Sequence, residues 1–318
     1  MIRVENLTKI YKKQKPQFWL NALLRPKFEN FKALDSISFD IKKGETFGLL
    51  GPNGAGKTTT IRMLCGIEHP SAGKIYIDGL ELEPHFRQIC SKFNVLFSDK
   101  LLYNRLTAYD NLVFYANLYS IGDPEKRATE LLEFMDLIPW KDQYIENFSL
   151  GMRMKVALAR TLINDPEILY LDEPTLGLDV RNAEIIRKYL KTLKRTILMT
   201  THYLNEAMLL CDRIGILQHG KLAYIDSPEN LKRIHAENRL FLIDTSDNQA
   251  AKSILAKNPL VSEIVDRNTK LEIRLTKCDN YFDILNDIQD LKLIQFQELN
   301  TGLEALFFDV NDEIEKNS

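Results

Sequence analysis

The stretch "GPNGAGKT" runs through Gly51, Pro52, Asn53, Gly54, Ala55, Gly56, Lys57 and Thr58, and fits the spacing G-x-x-x-x-G-K-[ST]. Small residues let successive backbone N–H groups turn inward on a β-phosphate. The Lys57 ammonium brings charge to the β- and γ-phosphates, and the Thr58 hydroxyl suits Mg²⁺. An apolar run, "TFGLL", precedes the stretch and a helical pattern follows it, a context that a chance glycine-rich turn lacks. The chemistry implied is the binding of a nucleoside triphosphate with Mg²⁺.

A second group of chemical side chains follows the apolar strand "EILYL". Asp172 and Glu173 end it, and adjacent residues at a strand end point different ways, so the two carboxylates can divide the work. Asp172 fits Mg²⁺ coordination, and Glu173 fits a base that orients an attacking water. His202 follows the strand "RTILMT" and Thr200-Thr201, at what reads as a neighbouring strand end. A third site, "FSLGMRMK", sets Ser149 and Gly151 at the start of a basic helical pattern, an arrangement that holds anions.

The elements that must position these residues are legible in outline. Residues 1 to about 50 read as β-rich, with Ile37, Phe39 and Ile41 alternating. From 57 to about 225, helical stretches alternate with short apolar strands, the pattern of an α/β fold whose largely parallel sheet is covered on both faces. A hairpin turning at His219-Gly220 and a helix opened by "SPE" close this unit at residue 236. The remainder, 237–318, reads β-α-β-β-α-β, a small α+β ferredoxin-like module ending in a helix from about 302.

Composition excludes several classes. Lys and Arg total 42 against 44 Asp and Glu, so no global field marks a nucleic-acid binder. Cys65, Cys90, Cys211 and Cys278 are scattered without metal-ligand spacing and read as inert thiols of a reducing compartment. No run of about 18 apolar residues suits a membrane span. Residues 12–32 form an unusual insert, "KKQKPQFWLNALLRPKFENFK", with six Lys or Arg against one Glu and the apolar cluster Phe18, Trp19, Leu20, Leu23 and Leu24.

The set "GPNGAGKTT", "FSLGM", "ILYLDEPTLGLD" and "TTH", in that order, resembles the ATPase subunit of ATP-binding-cassette (ABC) transporters over residues 2 to 236. The resemblance implies a P-loop NTPase of the ABC ATPase type, with a mixed sheet core, a β-rich subdomain and a helical subdomain. It implies ATP and Mg²⁺ as ligands. Walker A then falls on Gly51 to Thr58 with Thr59 beside it, the adenine-stacking aromatic on Tyr11, the Walker B aspartate on Asp172, and the catalytic glutamate on Glu173. The D-loop falls on Leu178 and Asp179, the switch histidine on His202, and the signature on Phe148 to Met152, with Ser149 and Gly151 serving ATP in trans.

Three departures stand out. Phe148, Leu150 and Met152 replace more usual signature residues. The glutamine that links Mg²⁺ to the membrane partner in this family falls on Ser98, counting back from Thr107, and Ser98 and its neighbour Asp99 are both oxygen ligands able to hold the metal or its water. The insert 12–32 suits a membrane headgroup layer or a permease surface, and equally suits a surface loop that packs its apolar side chains on its own domain.

The resemblance implies an energy-coupling ATPase on the cytoplasmic face of a membrane, held by a separate integral-membrane permease, acting in export, and paired with a second cassette, most simply as a homodimer. Two other classes fit the sequence less well. A soluble cassette acting on ribosomes or DNA typically has two cassettes or a coiled-coil insertion, and neither is present. A non-hydrolysing binder is opposed by the intact Lys57, Thr58, Asp172, Glu173 and His202. The C-terminal module reads as a stabilising or dimer-contacting addition rather than a ligand-binding regulator.

Overall fold

Alternation in "LDSISFDI" fixes the first layer. In the computed structural model, β1 (Ile2–Gln14) and β2 (Phe28–Ile41) run antiparallel, with Val4 opposite Phe39 and Leu7 opposite Ile37, all four buried. The structure describes residues 1–14, 28–97, 101–237, 239–267, 270–275 and 282–299. β3 (Thr46–Leu50) belongs to a second sheet, while β4 (Ala72–Ile77) and β5 (Leu80–Glu81) complete the first in the order β2-β1-β4-β5. The β1–β2 ladder continues past Tyr11, pairing Lys12 with Asn30 and Gln14 with Phe28, so the insert 12–32 enters and leaves as paired strands. Its centre, with Phe18, Trp19, Leu20, Leu23 and Leu24, lies outside the described residues, as do Ser98, Asp99, Cys278 and the expected final helix.

The second sheet carries the chemistry. β6 (Phe93–Leu96), β7 (Ile168–Asp172), β8 (Thr196–Thr201), β9 (Arg213–Gln218) and β10 (Lys221–Asp226) join β3 in the order β10-β9-β3-β8-β7-β6. The ladders among β6, β7, β8, β3 and β9 are parallel, and β7 and β8 are buried along their whole length, as continuous apolar runs require. The helices Ala108–Leu118, Pro124–Phe134 and Leu150–Thr161 are capped by Thr107, Asp123 and Ser149, each accepting from a backbone N–H of its first turn.

The chain divides into compact units Met1–Ile225 and Asp226–Ser318. That division falls before the helix Pro228–Glu237, where the sequence reading placed it after residue 236. Within the second unit, β11 (Arg239–Thr245), β12 (Val261–Asp266), β13 (Leu271–Leu275) and β14 (Leu293–Leu299) pair antiparallel in the order β12-β13-β11-β14. With the helices Asn248–Leu255 and Phe282–Asp287 this is the split β-α-β arrangement, and Phe241, Ile243, Leu271, Ile273 and Ile284 form its core. Among the described residues, no helix is long and apolar enough to cross a membrane.

Candidate functional site

Strand register assembles the site. Because β8 lies between β3 and β7, Leu50 pairs with Thr201 on one side and Asp172 with Thr200 on the other. The loop at Gly51, the two carboxylates and His202 therefore meet at one carboxyl edge of the sheet, where parallel sheets place ligands. Gly51 donates to the Thr201 carbonyl at 3.3 Å, and a β-carbon on Gly51 would lie 2.2 Å from the Leu217 carbonyl oxygen. Gly56 caps the helix Lys57–Leu64 at φ 109°, a conformation costly for other residues, and Gly220 of the β9–β10 turn donates to the Ala55 carbonyl at 3.1 Å.

Asp172 and Glu173 do point different ways. Asp172, 3% exposed, accepts from the Thr58 hydroxyl at 3.0 Å and from the Thr200 hydroxyl at 2.7 Å. Glu173, with φ 50°, donates its N–H to both the carbonyl and the hydroxyl of Thr200, each at 3.1 Å. Its carboxylate turns to the other side. Oε1 lies 3.2 Å from Lys57 Nζ and Oε2 lies 2.7 Å from His202 Nδ1; a carboxylate only accepts, which puts the proton on Nδ1. Lys57 also donates to the carbonyls of Gly51, at 2.7 Å, and Pro52, at 3.1 Å.

The Thr58 hydroxyl and Asp172 carboxylate, hard oxygens in contact with each other, fit Mg²⁺, which takes one or two carboxylates and completes its shell from substrate phosphates and water. No cluster of three acidic, histidine or cysteine side chains able to hold a metal alone occurs among the described residues. Burial, and then the Asp172 charge, push the Cys65 thiol far up, so it stays protonated beside the site. Burial followed by Glu206 and Asp212 does the same for Cys211.

Tyr11 stands beside the helix that follows the loop. Its hydroxyl donates to Glu68 and also bonds Thr59, while Lys9 Nζ lies 5.2 Å from its ring centroid. Phe31, half exposed, faces Tyr11 across the ladder. At the third site Ser149 is exposed and its hydroxyl accepts from Met152 N–H at 3.2 Å. Phe148 is buried and its carbonyl accepts from Arg153 Nε at 3.0 Å, so this departure from the usual signature is a core side chain. Gly151 is buried under Asn182, which Asp179 holds through its backbone and side-chain N–H groups at 2.9 and 2.6 Å. Those bonds, the backbone N–H first, hold the Asp179 carboxyl below the usual range.

Sequence reasoning gave no role to Thr200, Thr175, Asn182, Glu206 or Glu68. A hydroxyl inside the apolar run of β8 was the available signal for Thr200; the others depend on contacts distant in sequence.

The family described as ABC transporter matches residues 34–176. The chain is 30% identical to the linearmycin resistance ATP-binding protein LnrL of Bacillus subtilis over 98% of each chain. It is 38% identical to the Nod factor export ATP-binding protein I of Burkholderia pseudomallei, covering 64% of this chain and 69% of that protein. The dimeric ATP-binding cassette MJ0796, solved in a post-hydrolysis state bound to ADP and Pi, superposes with a TM-score of 0.62 at 28% identity, over 72% of this chain and 99% of that one. The loop, strand-end carboxylates and histidine described above are arranged on the fold of those proteins, and the chain belongs to the ATP-binding subunits of ABC transporters, an ATPase family.

Proposed function

We propose that this chain drives a separate membrane permease in export, working from the cytoplasmic face as one half of a dimer that closes on two ATP molecules. The observation that carries the catalytic part is the division of labour between adjacent residues: Asp172 bonds Thr58, and Glu173 is gripped by Lys57 and His202. Gly51 to Thr58 and Thr59 cradle the phosphates, Lys57 neutralises them, and Tyr11 receives the adenine. Thr58 and Asp172 would hold Mg²⁺, which would offset the charge that develops on the phosphates. Glu173 orients the attacking water and accepts its proton as the γ-phosphoryl leaves ADP; His202 holds Glu173 and faces the γ-phosphate.

Ser149, Gly151 and the N-terminus of the helix Leu150–Thr161 address the γ-phosphate bound by the facing copy, with Asp179 beside them. The dimeric cassette with ADP and Pi supports this assembly, and the export and resistance relatives support the direction. The test is Glu173→Gln. Turnover should fall by about 10² to 10⁴, and ATP with Mg²⁺ should convert the variant into a dimer by light scattering. A fall of less than about tenfold would remove the base assignment, and a monomer at saturating ATP would remove the sandwich.

A further inference from the structure

A second link joins the segment carrying Glu173 to the helix that follows His202. Thr175 lies two residues past Glu173, and its hydroxyl donates to Glu206 Oε1 at 2.6 Å. Glu206 sits in the helix Leu204–Leu210, one turn after His202, with its N–H on the Tyr203 carbonyl at 3.2 Å. Both partners are sealed from water, Thr175 at 5% and Glu206 at 1% exposure, and Glu206 Oε2 has no hydrogen-bond partner among the described residues. One bond to a hydroxyl is poor compensation for a buried carboxyl, so stability gives little reason for the pair.

We infer that Glu206 is a positioning residue for hydrolysis: with Thr175 it fixes the distance between the segment Glu173–Asp179 and the switch histidine. The Glu173–His202 bond, 2.7 Å long, then spans two segments already bolted together one turn away. Thr175 also begins the tight turn that leads to Asp179, accepting from Leu178 N–H at 3.1 Å, so the same bond sets where the D-loop starts. Glu206, 1% exposed, acts through the placement of Glu173 and His202, and the inference rests on the roles proposed for them.

The experiment compares Glu206→Leu, Thr175→Val, the double variant and Glu206→Gln, with Glu173→Gln as reference, by ATP titration of turnover and by thermal unfolding. Glu206→Leu and Thr175→Val should each lower kcat by about tenfold and leave KM for ATP within about twofold, a pattern of lost transition-state interaction. The double variant should be no slower than either single one, because both break the same bond. Glu206→Gln, whose amide oxygen still accepts from Thr175, should recover most of the rate. Unchanged kcat in Thr175→Val, losses that multiply in the double variant, or Glu206→Gln as slow as Glu206→Leu would each overturn the inference. If Glu206→Leu fails to fold, Thr175→Val, similar in shape, carries the same test. Full activity in Glu173→Gln would instead overturn the base assignment itself.

Discussion

The side chain of Asn182 fills the space where a β-carbon on residue 151 would stand, with Cγ and Oδ1 each 2.5 Å from that point. Asn182 is not free to swing aside, since Asp179 holds its backbone and side-chain N–H groups. Asn182 therefore links Gly151 to Asp179 within one chain. Gly151→Ala should leave the helix Leu150–Thr161 intact, because alanine favours helix by about 1 kcal/mol over glycine, yet displace Asn182 and cut ATP turnover about tenfold, or 1.4 kcal/mol in the barrier. Circular dichroism alongside a turnover assay checks both halves; a fully active variant would separate the two loops.

Thr200 supports both carboxylates, through its hydroxyl to Asp172 and through the Glu173 N–H. Thr200→Val removes both bonds in a buried strand and should destabilise the protein by about 1 to 3 kcal/mol. Turnover should fall with it. Urea unfolding of the variant measures the first effect.

Metal dependence isolates the other half of the site. Asp172→Asn should raise the Mg²⁺ concentration for half-maximal turnover by about tenfold or more, since a carboxylate is the harder ligand. Titrating Mg²⁺ at fixed ATP reads this directly. Unchanged Mg²⁺ demand would place the ion elsewhere.

Acid stability tests the Tyr11 anchor. Burial by itself would raise the Glu68 carboxyl, but the Tyr11 hydroxyl, Lys9 and Arg62 together hold it below the usual range. A carboxyl depressed in the folded state contributes stability above its unfolded value, about 4.3, and loses it as pH falls through the folded value. Wild type should exceed Glu68→Gln in stability above about pH 4.3, and the two should converge at lower pH. Unfolding at several pH values shows whether the gap closes on the acid side.

The loop 51–58, the carboxylate pair and His202 were legible because each motif is contiguous and its chemistry is local. The ferredoxin-like order of the second unit was legible from alternating strands and helices, and the β11–β14 pairing bears it out. Asn182 and Glu206 were not legible, since Asn182 lies over Gly151 through tertiary packing and Glu206 meets Thr175 across 31 residues of chain. The helix Pro228–Glu237 carries no signal of which unit it joins, and the division before it came from packing.

The β9–β10 turn holds the phosphate loop from behind, with the Gly220 N–H on Ala55 and the Leu217 carbonyl against Gly51. A glycine-rich loop loses more backbone freedom on ordering than any other, roughly 1 to 2 kcal/mol per residue. Here that entropy is surrendered when the chain folds. Nucleotide meets a loop already held in place by its neighbours, so the free energy of contact appears in affinity rather than in ordering the cradle.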